Sequence, residues 1–323
     1  MSQRYERVMV IDQSEAALAW ARAELPNLAF AGTSLEEVNV HATEAGSITA
    51  VVASWGPHHF AAFSHLVAIG VRRIFVEKPV ATSLAQLNEM RRICELQEVS
   101  LTAGLHLRYR GITEFINLVT RTHLGGGPTS FVIEGGARCI ATNGSHWLDL
   151  GIALFGAAPV AVTSTLRSAA VNPRSPDLLY WDGVAVWDFP GGERLSISYD
   201  NSSSVHERVR IYAPNGVVEI DSDFKVRALS RNLSEVQADP RVARVGEVNN
   251  SAPVAEYVPD FGEVLSTQLD ELEGLRPTSF GTMAAIDSAS ALVSAFEANR
   301  LGRRLELPAD RNVVLQSVEW NIS

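Results

Sequence analysis

The first hundred residues constrain the fold most, because short apolar runs alternate there with helical stretches. Val8-Met9-Val10-Ile11 ends at Asp12, and Ser14 then has the chemistry of an N-cap for a helix reaching Leu25. Leu28 to Ala31 is a short strand candidate, and Ile48 to Ala53 is a longer one. The turn Ser54-Trp55-Gly56-Pro57 leads into a helix over about 58–69. Arg73-Ile74-Phe75-Val76 is a further strand, closed by Glu77-Lys78-Pro79 and followed by a helix over about 83–97. Strands apolar at every position are covered on both faces, so this alternation predicts a parallel sheet between helical layers.

After Leu101-Thr102-Ala103-Gly104 the texture changes. A helix over about 113–122 runs into Gly125-Gly126-Gly127-Pro128, and alternating segments follow at 130–134, 160–166, 183–189, 194–199 and 208–212. Pro190-Gly191-Gly192 and Pro214-Asn215-Gly216 punctuate them as turns. Helices are predicted near 147–155 and 282–299. The expected architecture is α/β, a parallel-sheet domain over 1–103, then an α+β domain over 104–323 with a large open, mostly antiparallel sheet.

The sequence holds 323 residues with a formal net charge of −10, and no basic patch larger than Arg72-Arg73 or Arg303-Arg304. That balance repels phosphate backbones and argues against nucleic acid as a partner. Two scattered cysteines, Cys94 and Cys139, exclude a disulfide framework or zinc knuckle. With no stretch of about 18 apolar residues and no secretory leader, the chain reads as cytoplasmic with no membrane role.

Two segments carry chemistry. Glu77-Lys78-Pro79 stands at the carboxyl end of a predicted parallel strand, where open parallel sheets bind ligands. A lysine there can be partly desolvated and exchange protons, with Glu77 tuning it; an arbitrary strand-end lysine is simply solvated. In Thr142-Asn143-Gly144-Ser145-His146-Trp147-Leu148-Asp149, His146 and Asp149 are three apart and share a helix face. A carboxylate one turn from a histidine can fix its tautomer for proton transfer, although the spacing alone fits a satisfied helix start better. His58, His59, His106 and His146 have no metal-ligand spacing, so no metal is expected. Gly125-Gly126-Gly127 follows a helix and precedes a strand, which is a helix stop rather than a phosphate cradle.

In this order the segments resemble the Gfo/Idh/MocA oxidoreductase family, which uses NAD or NADP on sugars, inositols and related polyols. Besides Glu77-Lys78-Pro79, Ala53-Ser54-Trp55-Gly56-Pro57-His58-His59 is similar to the family's A-T-P-x-x-x-H turn. Gly104-Leu105-His106-Leu107-Arg108-Tyr109 resembles its G-x-N-x-R-F/Y segment, with His106 in the asparagine place. The stretch from Asn143 to Gly156 is similar to its D-x-G-x-H-x-x-D helix, with Thr142 in place of the first aspartate. Val209 to Ile220 and the closing helix followed by Gly302 to Leu307 also fit.

The resemblance implies a Rossmann-type domain, with nicotinamide bound between it and the second domain. It implies Lys78 and His146 as the proton-transferring residues, with Asp149 orienting His146. Asp12, Ser54, Trp55, His59, Glu77 and Lys78 would hold the cofactor. His106, Arg108, Tyr109 and Asn143 would contact the substrate. A homo-oligomer paired through the second domain is expected. Asp12 favours NAD, because a carboxylate repels a 2′-phosphate.

One part of the pattern has no counterpart. Val8 to Asp12 resembles the family's second strand, so the first strand, its glycine-rich turn and the helix after it are lacking. The domain is expected to be a truncated Rossmann-type unit with weakened dinucleotide binding, either from a start downstream of the ancestral one or from real loss of the function. The readings are therefore an NAD(P)-dependent oxidoreductase on a sugar or polyol, and a non-redox descendant that binds a sugar-like ligand or performs acid–base chemistry.

Overall fold

The computed structural model describes residues 4–38, 45–172, 175–231, 252–260, 262–278 and 280–322. Strands β1 (Val8–Ile11) and β2 (Leu28–Gly32) pair in parallel around helix α1 (Glu15–Glu24). Ser14 caps α1 by accepting the Ala17 N–H, as its chemistry predicts. Strands β3 (Thr49–Val52), β4 (Arg73–Val76) and β5 (Ser100–Ala103) form a second parallel ladder, with β4 in the centre. Strand β5 falls where sequence reading sees only a change of texture. Its four residues are too few to show a period beside the turn at Gly104.

No ladder joins β1 to β3 among the described residues, so each leaves one edge open. Burial follows from this: β4 is buried at Ile74, Phe75 and Val76, while Val51 on β3 stays 40% exposed and all of β1 is half-buried.

Helices α2 (Gly56–Ala68) and α3 (Leu84–Gln97) connect the ladder. The start of α3 is fixed by reciprocal capping. Ser83 accepts the Gln86 N–H, and the Gln86 side-chain Oε1 accepts from the N–H and hydroxyl of Thr82. In register, Val52, Val76 and Ala103 end the three strands side by side. The segments at 53–54, 77–78 and 104–106 therefore leave from one edge of the sheet.

Helix α4 (Ile112–His123) leads to a nine-stranded sheet made of β6 (Ser130–Gly135), β7 (Ala161–Asn172), β8 (Ser175–Asp188), β9 (Arg194–Tyr199), β10 (Arg208–Ala213), β11 (Gly216–Ile220), β12 (Val226–Ser230), β13 (Ala255–Tyr257) and β14 (Leu305–Glu306). Its order is β13-β12-β11-β10-β6-β9-β8-β7-β14, antiparallel except for the β6–β9 pair. The mostly antiparallel second sheet is as expected. β7 and β8 run longer than their alternating cores, because they pair with each other out to Asn172 and Ser175.

Alternation along β6, β9 and β10 turns Phe131, Ile133, Leu195, Ile197, Val209 and Ile211 inward. Helices α5 (Ser145–Phe155) and α7 (Thr282–Leu301) lie on this inner side, and the short α6 (Val264–Leu272) and α8 (Arg311–Leu315) complete the helices. Helix α7 touches β7, β5, α3 and α5, and is buried around most of its circumference because alanine and serine let neighbours approach from every side. Gly151 does the same for α5, since a Cβ there would stand 2.2 Å from Leu195 Cδ1. One continuous apolar core thus joins the parallel strands to the large sheet. Among the described residues no helix is long and apolar enough to cross a membrane.

Candidate active site

The site starts at the carboxyl edge of β3–β4–β5. Glu77 continues the ladder through its N–H to Val52 O at 2.8 Å, and Gly104 does so through its N–H to Val76 O at 2.9 Å. The Glu77 carboxylate lies over Gly104, where a Cβ would meet Oε2 at 2.5 Å. The glycine is needed for this close approach. Glu77 Oε2 also accepts the Lys78 backbone N–H at 3.3 Å, and the Lys78–Pro79 peptide is cis. Lys78 is half-buried, so its side chain has solvent access as well as protein neighbours.

Beyond Gly104 the chain meets α5 twice. The rings of His106 and His146 are in contact, with centroids 4.1 Å apart and planes tilted by 45°. Two residues further on, Arg108 reaches Asp149 with both arms of its fork, Nε to Oδ2 at 2.8 Å and Nη2 to Oδ1. The guanidinium lies 4.0 Å from the centroid of the Phe280 ring. Asp149 is fully buried, and burial pushes its carboxyl above the ordinary aspartate range; Arg108 and Ser288 pull the other way. The segments around 77, 104–108 and 146–149 thus converge through these contacts.

Three expected roles are corrected by the geometry. Asp149 gives its carboxylate to Arg108 and Ser288, so it holds that arginine instead of orienting His146. Arg108, expected at the substrate, commits Nε and Nη2 to this pair and its guanidinium face to Phe280. His59 is fully buried, with Nδ1 2.7 Å from Pro79 O and Nε2 2.7 Å from Ser54 O. Its ring braces the Ser54 turn against the segment after Lys78 and has no nitrogen left for a cofactor. Burial pushes its pKa down, opposed by the two carbonyl bonds and by Glu77.

The other residues stand as follows. Asp12 is exposed at the end of β1, where Oδ1 accepts the Ser14 N–H at 2.8 Å. Ser54 and Trp55 are exposed at the end of β3, with Trp55 at the N-cap position of α2. Tyr109 is half-buried, edge-on to Phe280. Asn143 sits in a π-type turn before α5, and its Oδ1 accepts the Cys139 N–H and the Thr142 hydroxyl, each at 3.3 Å. That bonding commits its carbonyl oxygen to the turn.

Three supporting residues escape sequence reading. Gln268, buried on α6, donates through Nε2 to Ala103 O at 3.1 Å and Leu105 O at 3.3 Å, fixing the backbone just before His106. A polar residue in the stripe Val264, Gln268, Leu272 was the available signal. Phe280 and Ser288 act only through Arg108 and Asp149, across more than 130 residues of chain, and nothing local in the sequence marks them.

The helix starts that follow β1 and β3 are taken up by the protein's own groups. The start of α1 is already capped by Ser14, and it carries Glu15 in its first turn. The start of α2 is crowded, since a Cβ on Gly56 would stand 2.5 Å from Ile322 O. Among the described residues no metal-binding group of three or more His, Cys, Asp or Glu is present.

Comparison with known proteins follows the same line. Residues 1–105 match the Gfo/Idh/MocA family model, described as an oxidoreductase family with an NAD-binding Rossmann fold. No curated protein matches the chain. Its fold is that of an oxidoreductase from Agrobacterium radiobacter in complex with NAD+, L-tartaric acid and magnesium (16% identity, 93% of this chain and 90% of that chain covered, TM-score 0.65). It is likewise that of the WlbA dehydrogenase from Bordetella pertussis in complex with NADH and UDP-GlcNAcA (18% identity, 94% and 91% covered, TM-score 0.65). The aldose-aldose oxidoreductase from Caulobacter crescentus complexed with glycerol is similar too (17% identity, 93% and 91% covered, TM-score 0.68). Residues 1–105 thus match the NAD-binding domain of that family, and the whole chain shares the fold of these oxidoreductases.

Proposed function

We propose that this protein is an NAD(P)-dependent oxidoreductase acting on a hydroxyl carbon of a sugar or polyol. One observation carries the reading: Glu77-Lys78 and the His106–His146 pair converge outside the carboxyl edge of β4 and β5, linked through Gly104. Ligands of open parallel sheets bind at such edges. Sugar-linked and polyol ligands in solved proteins of this fold support the substrate class.

Asp12 suits the adenosine ribose, and the Ser54-Trp55 turn with Lys78 suits the nicotinamide end. When bound, a nicotinamide supplies the hydride chemistry. The protein's own residues position the substrate and move its proton. The ammonium of Lys78, half-buried at the end of β4, exchanges the hydroxyl proton, and His146 is the second acid–base group. His106, Tyr109 and Asn143 line the approach, with Asn143 offering its amide N–H groups. Asp149 and Arg108 hold α5 and the 106–109 segment at fixed separation. We assign residues 1–103 to the nucleotide domain and 104–323 to the substrate domain. The outer face of the large sheet, with Val132, Val184 and Tyr212 half-buried or exposed, would be covered by a second copy in a homodimer. Two free, buried cysteines support a cytoplasmic setting.

The test is absorbance at 340 nm with NAD or NADP and a panel of sugars and polyols. Turnover should fall about 10² to 10⁴-fold in Lys78→Ala; an unchanged rate removes Lys78 from the chemistry. A sedimentation mass of one chain would refute the dimer.

Thr142, in the place of the family's first aspartate, favours a second reading, a non-redox descendant that binds a sugar-like ligand and needs no dinucleotide phosphates. Charge-assisted hydrogen bonds are worth about 1.5–3 kcal/mol each, so phosphates lacking two or three of them lose several powers of ten in affinity. Calorimetric titration with NAD and NADP separates the readings. Micromolar binding supports the oxidoreductase, whereas binding of a sugar without either dinucleotide supports the second.

A further inference from the structure

The chain after α8 returns to the reacting edge. Ser317 Oγ accepts the Ala85 N–H at 3.1 Å, and the Trp320 N–H donates to Thr82 O at 3.0 Å. Ile322 O lies 2.5 Å from where a Cβ on Gly56 would stand. Residues 317–322 therefore touch the starts of both α2 and α3, the helices that follow the Ser54 turn and the Lys78 segment.

The same six residues are anchored on the large sheet and on α7. Leu179 of β8 donates its N–H to Asn321 O at 3.0 Å. The Trp320 ring packs against Trp181 of β8 and Phe296 of α7, with centroids 5.4 and 5.3 Å away. Its indole N–H donates to Glu297 Oε1 at 3.0 Å, and the Val318 N–H donates to the same oxygen at 3.2 Å. Glu297 Oε2 accepts from Arg300 Nε at 2.8 Å. A fully buried carboxylate is costly unless its charge and its lone pairs are met. Here Arg300 meets the charge at one oxygen, and the other oxygen holds residues 318–320.

We propose that residues 317–322 form a strap and that Trp320 is a positioning residue for Lys78. Between Lys78 and the Thr82 bond lie Pro79, Val80 and Ala81, all buried. Pro79 is wedged as well, because a Cβ on Gly56 would stand 2.9 Å from its Cγ and its carbonyl oxygen meets His59. This short stretch has no exposed slack, so a shift at Thr82 or Gly56 is passed on to Lys78. The inference rests on the oxidoreductase reading only in giving Lys78 a proton to move; the strap itself rests on its contacts.

Lys78 and Lys225 are the two lysines of the sequence, so the seat of Lys78 can be read by amine acylation. Lys225 pairs with Glu256 at 2.8 Å just before β12, five strands from β8 in the large sheet, and is the internal control. The full 323-residue protein and Trp320→Ala are treated with an N-hydroxysuccinimide acetate ester, and each lysine is followed by mass spectrometry. In Trp320→Ala the Lys78 rate relative to Lys225 should change by more than about threefold, and amide exchange over 77–85 should rise about tenfold with 194–213 unmoved. Trp320→Phe keeps the ring and should lie near the parent in both. An unmoved Lys78 rate, or exchange raised equally over 194–213, overturns the proposal. If Trp320→Ala fails to fold by circular dichroism, Trp320→Leu takes its place. In the 340 nm assay the folded variant should lose roughly 10- to 100-fold in kcat at unchanged KM for the sugar or polyol, and an unmoved kcat in an active enzyme overturns the positioning role. If no sugar or polyol is turned over while Lys78 labelling and exchange respond, the oxidoreductase reading falls and the strap stands.

Discussion

Removing either member of the Arg108–Asp149 pair should be among the most damaging single changes in this protein. Asp149 has a side chain 1% exposed and Arg108 one 11% exposed, so neither charge can turn to water when its partner is deleted. Breaking a buried pair in this way costs about 3–5 kcal/mol, because the remaining charge stays desolvated and uncompensated. For Asp149→Ala the stranded guanidinium keeps the face of Phe280, which returns roughly 1 kcal/mol and places this variant at the lower end. Arg108→Ala strands a carboxylate whose proton affinity burial already raises. The sign follows. A carboxyl with a folded pKa above its unfolded value stabilises the folded state below the unfolded pKa, near 4, and loses that contribution as pH rises through the folded value. The deficit of Arg108→Ala relative to the parent should thus be smaller at pH 5 than at pH 8. Replacing both residues, as Arg108→Met with Asp149→Leu, removes both desolvation penalties and should cost less than either single change. The assay is urea unfolding of the four proteins at both pH values. Single losses below about 1 kcal/mol, or a double variant as unstable as the sum of the two, would refute the clamp.

Three further outcomes are expected. Gly104→Ala forces the Glu77 carboxylate off its seat and should lower kcat/KM about 100-fold with little change in Tm, as shifts near 1 Å at a reacting centre do; retention of activity would mean that Glu77 does not position Lys78. Burial pushes the pKa of His59 below its unfolded value, so its contribution is present above about pH 6.5 and declines as pH falls toward the folded value. His59→Gln should flatten that acid slope in urea titrations while costing about 1–3 kcal/mol at pH 8 for a carbonyl left unpaired; an unchanged slope rejects the assignment. Burial pushes the Cys94 thiol up to about 12, so it should resist iodoacetamide at pH 8 in the folded protein and react in urea; mass spectrometry showing native alkylation of Cys94 would contradict its burial.

Sequence reading works here wherever a signal is local. Ser14 and Ser83 announce α1 and α3 because an N-cap is chemistry between neighbours, and β4 is legible because it is buried on both faces. Helix α6 is missed because its nine residues have a stripe interrupted by Gln268, whose partners are the carbonyls of Ala103 and Leu105, 165 and 163 positions away. The same limit explains the errors of role. His146 and Asp149 share a helix face, and spacing alone invites a carboxylate–imidazole pair. Arg108 competes for that carboxylate and, with its fork and fixed charge, wins. His59 lies in a motif adjoining the proposed cofactor turn, yet helix α2 rotates it inward, and only the fold reveals that two carbonyls await it there.

The site therefore depends on α7 and α6 as much as on the strands that carry its motifs. Ser288 of α7 bonds Asp149, Thr282 at the start of α7 accepts the Leu101 N–H of β5, and Gln268 of α6 holds the backbone that follows. Glu297, also on α7 and fully buried, takes the Trp320 indole N–H and the Val318 N–H, while the Trp320 backbone N–H returns to Thr82 O behind the Lys78 segment. Each of these bonds ties a late stretch of chain to an early one near the reacting edge. A buried donor or acceptor deprived of its partner costs about 1–3 kcal/mol, so this set opposes sliding of the large sheet against the parallel strands. The distance from Lys78 to His146 is then fixed by the packing of helices that carry neither residue. Acid–base groups borne on separate elements need that rigidity to share one substrate.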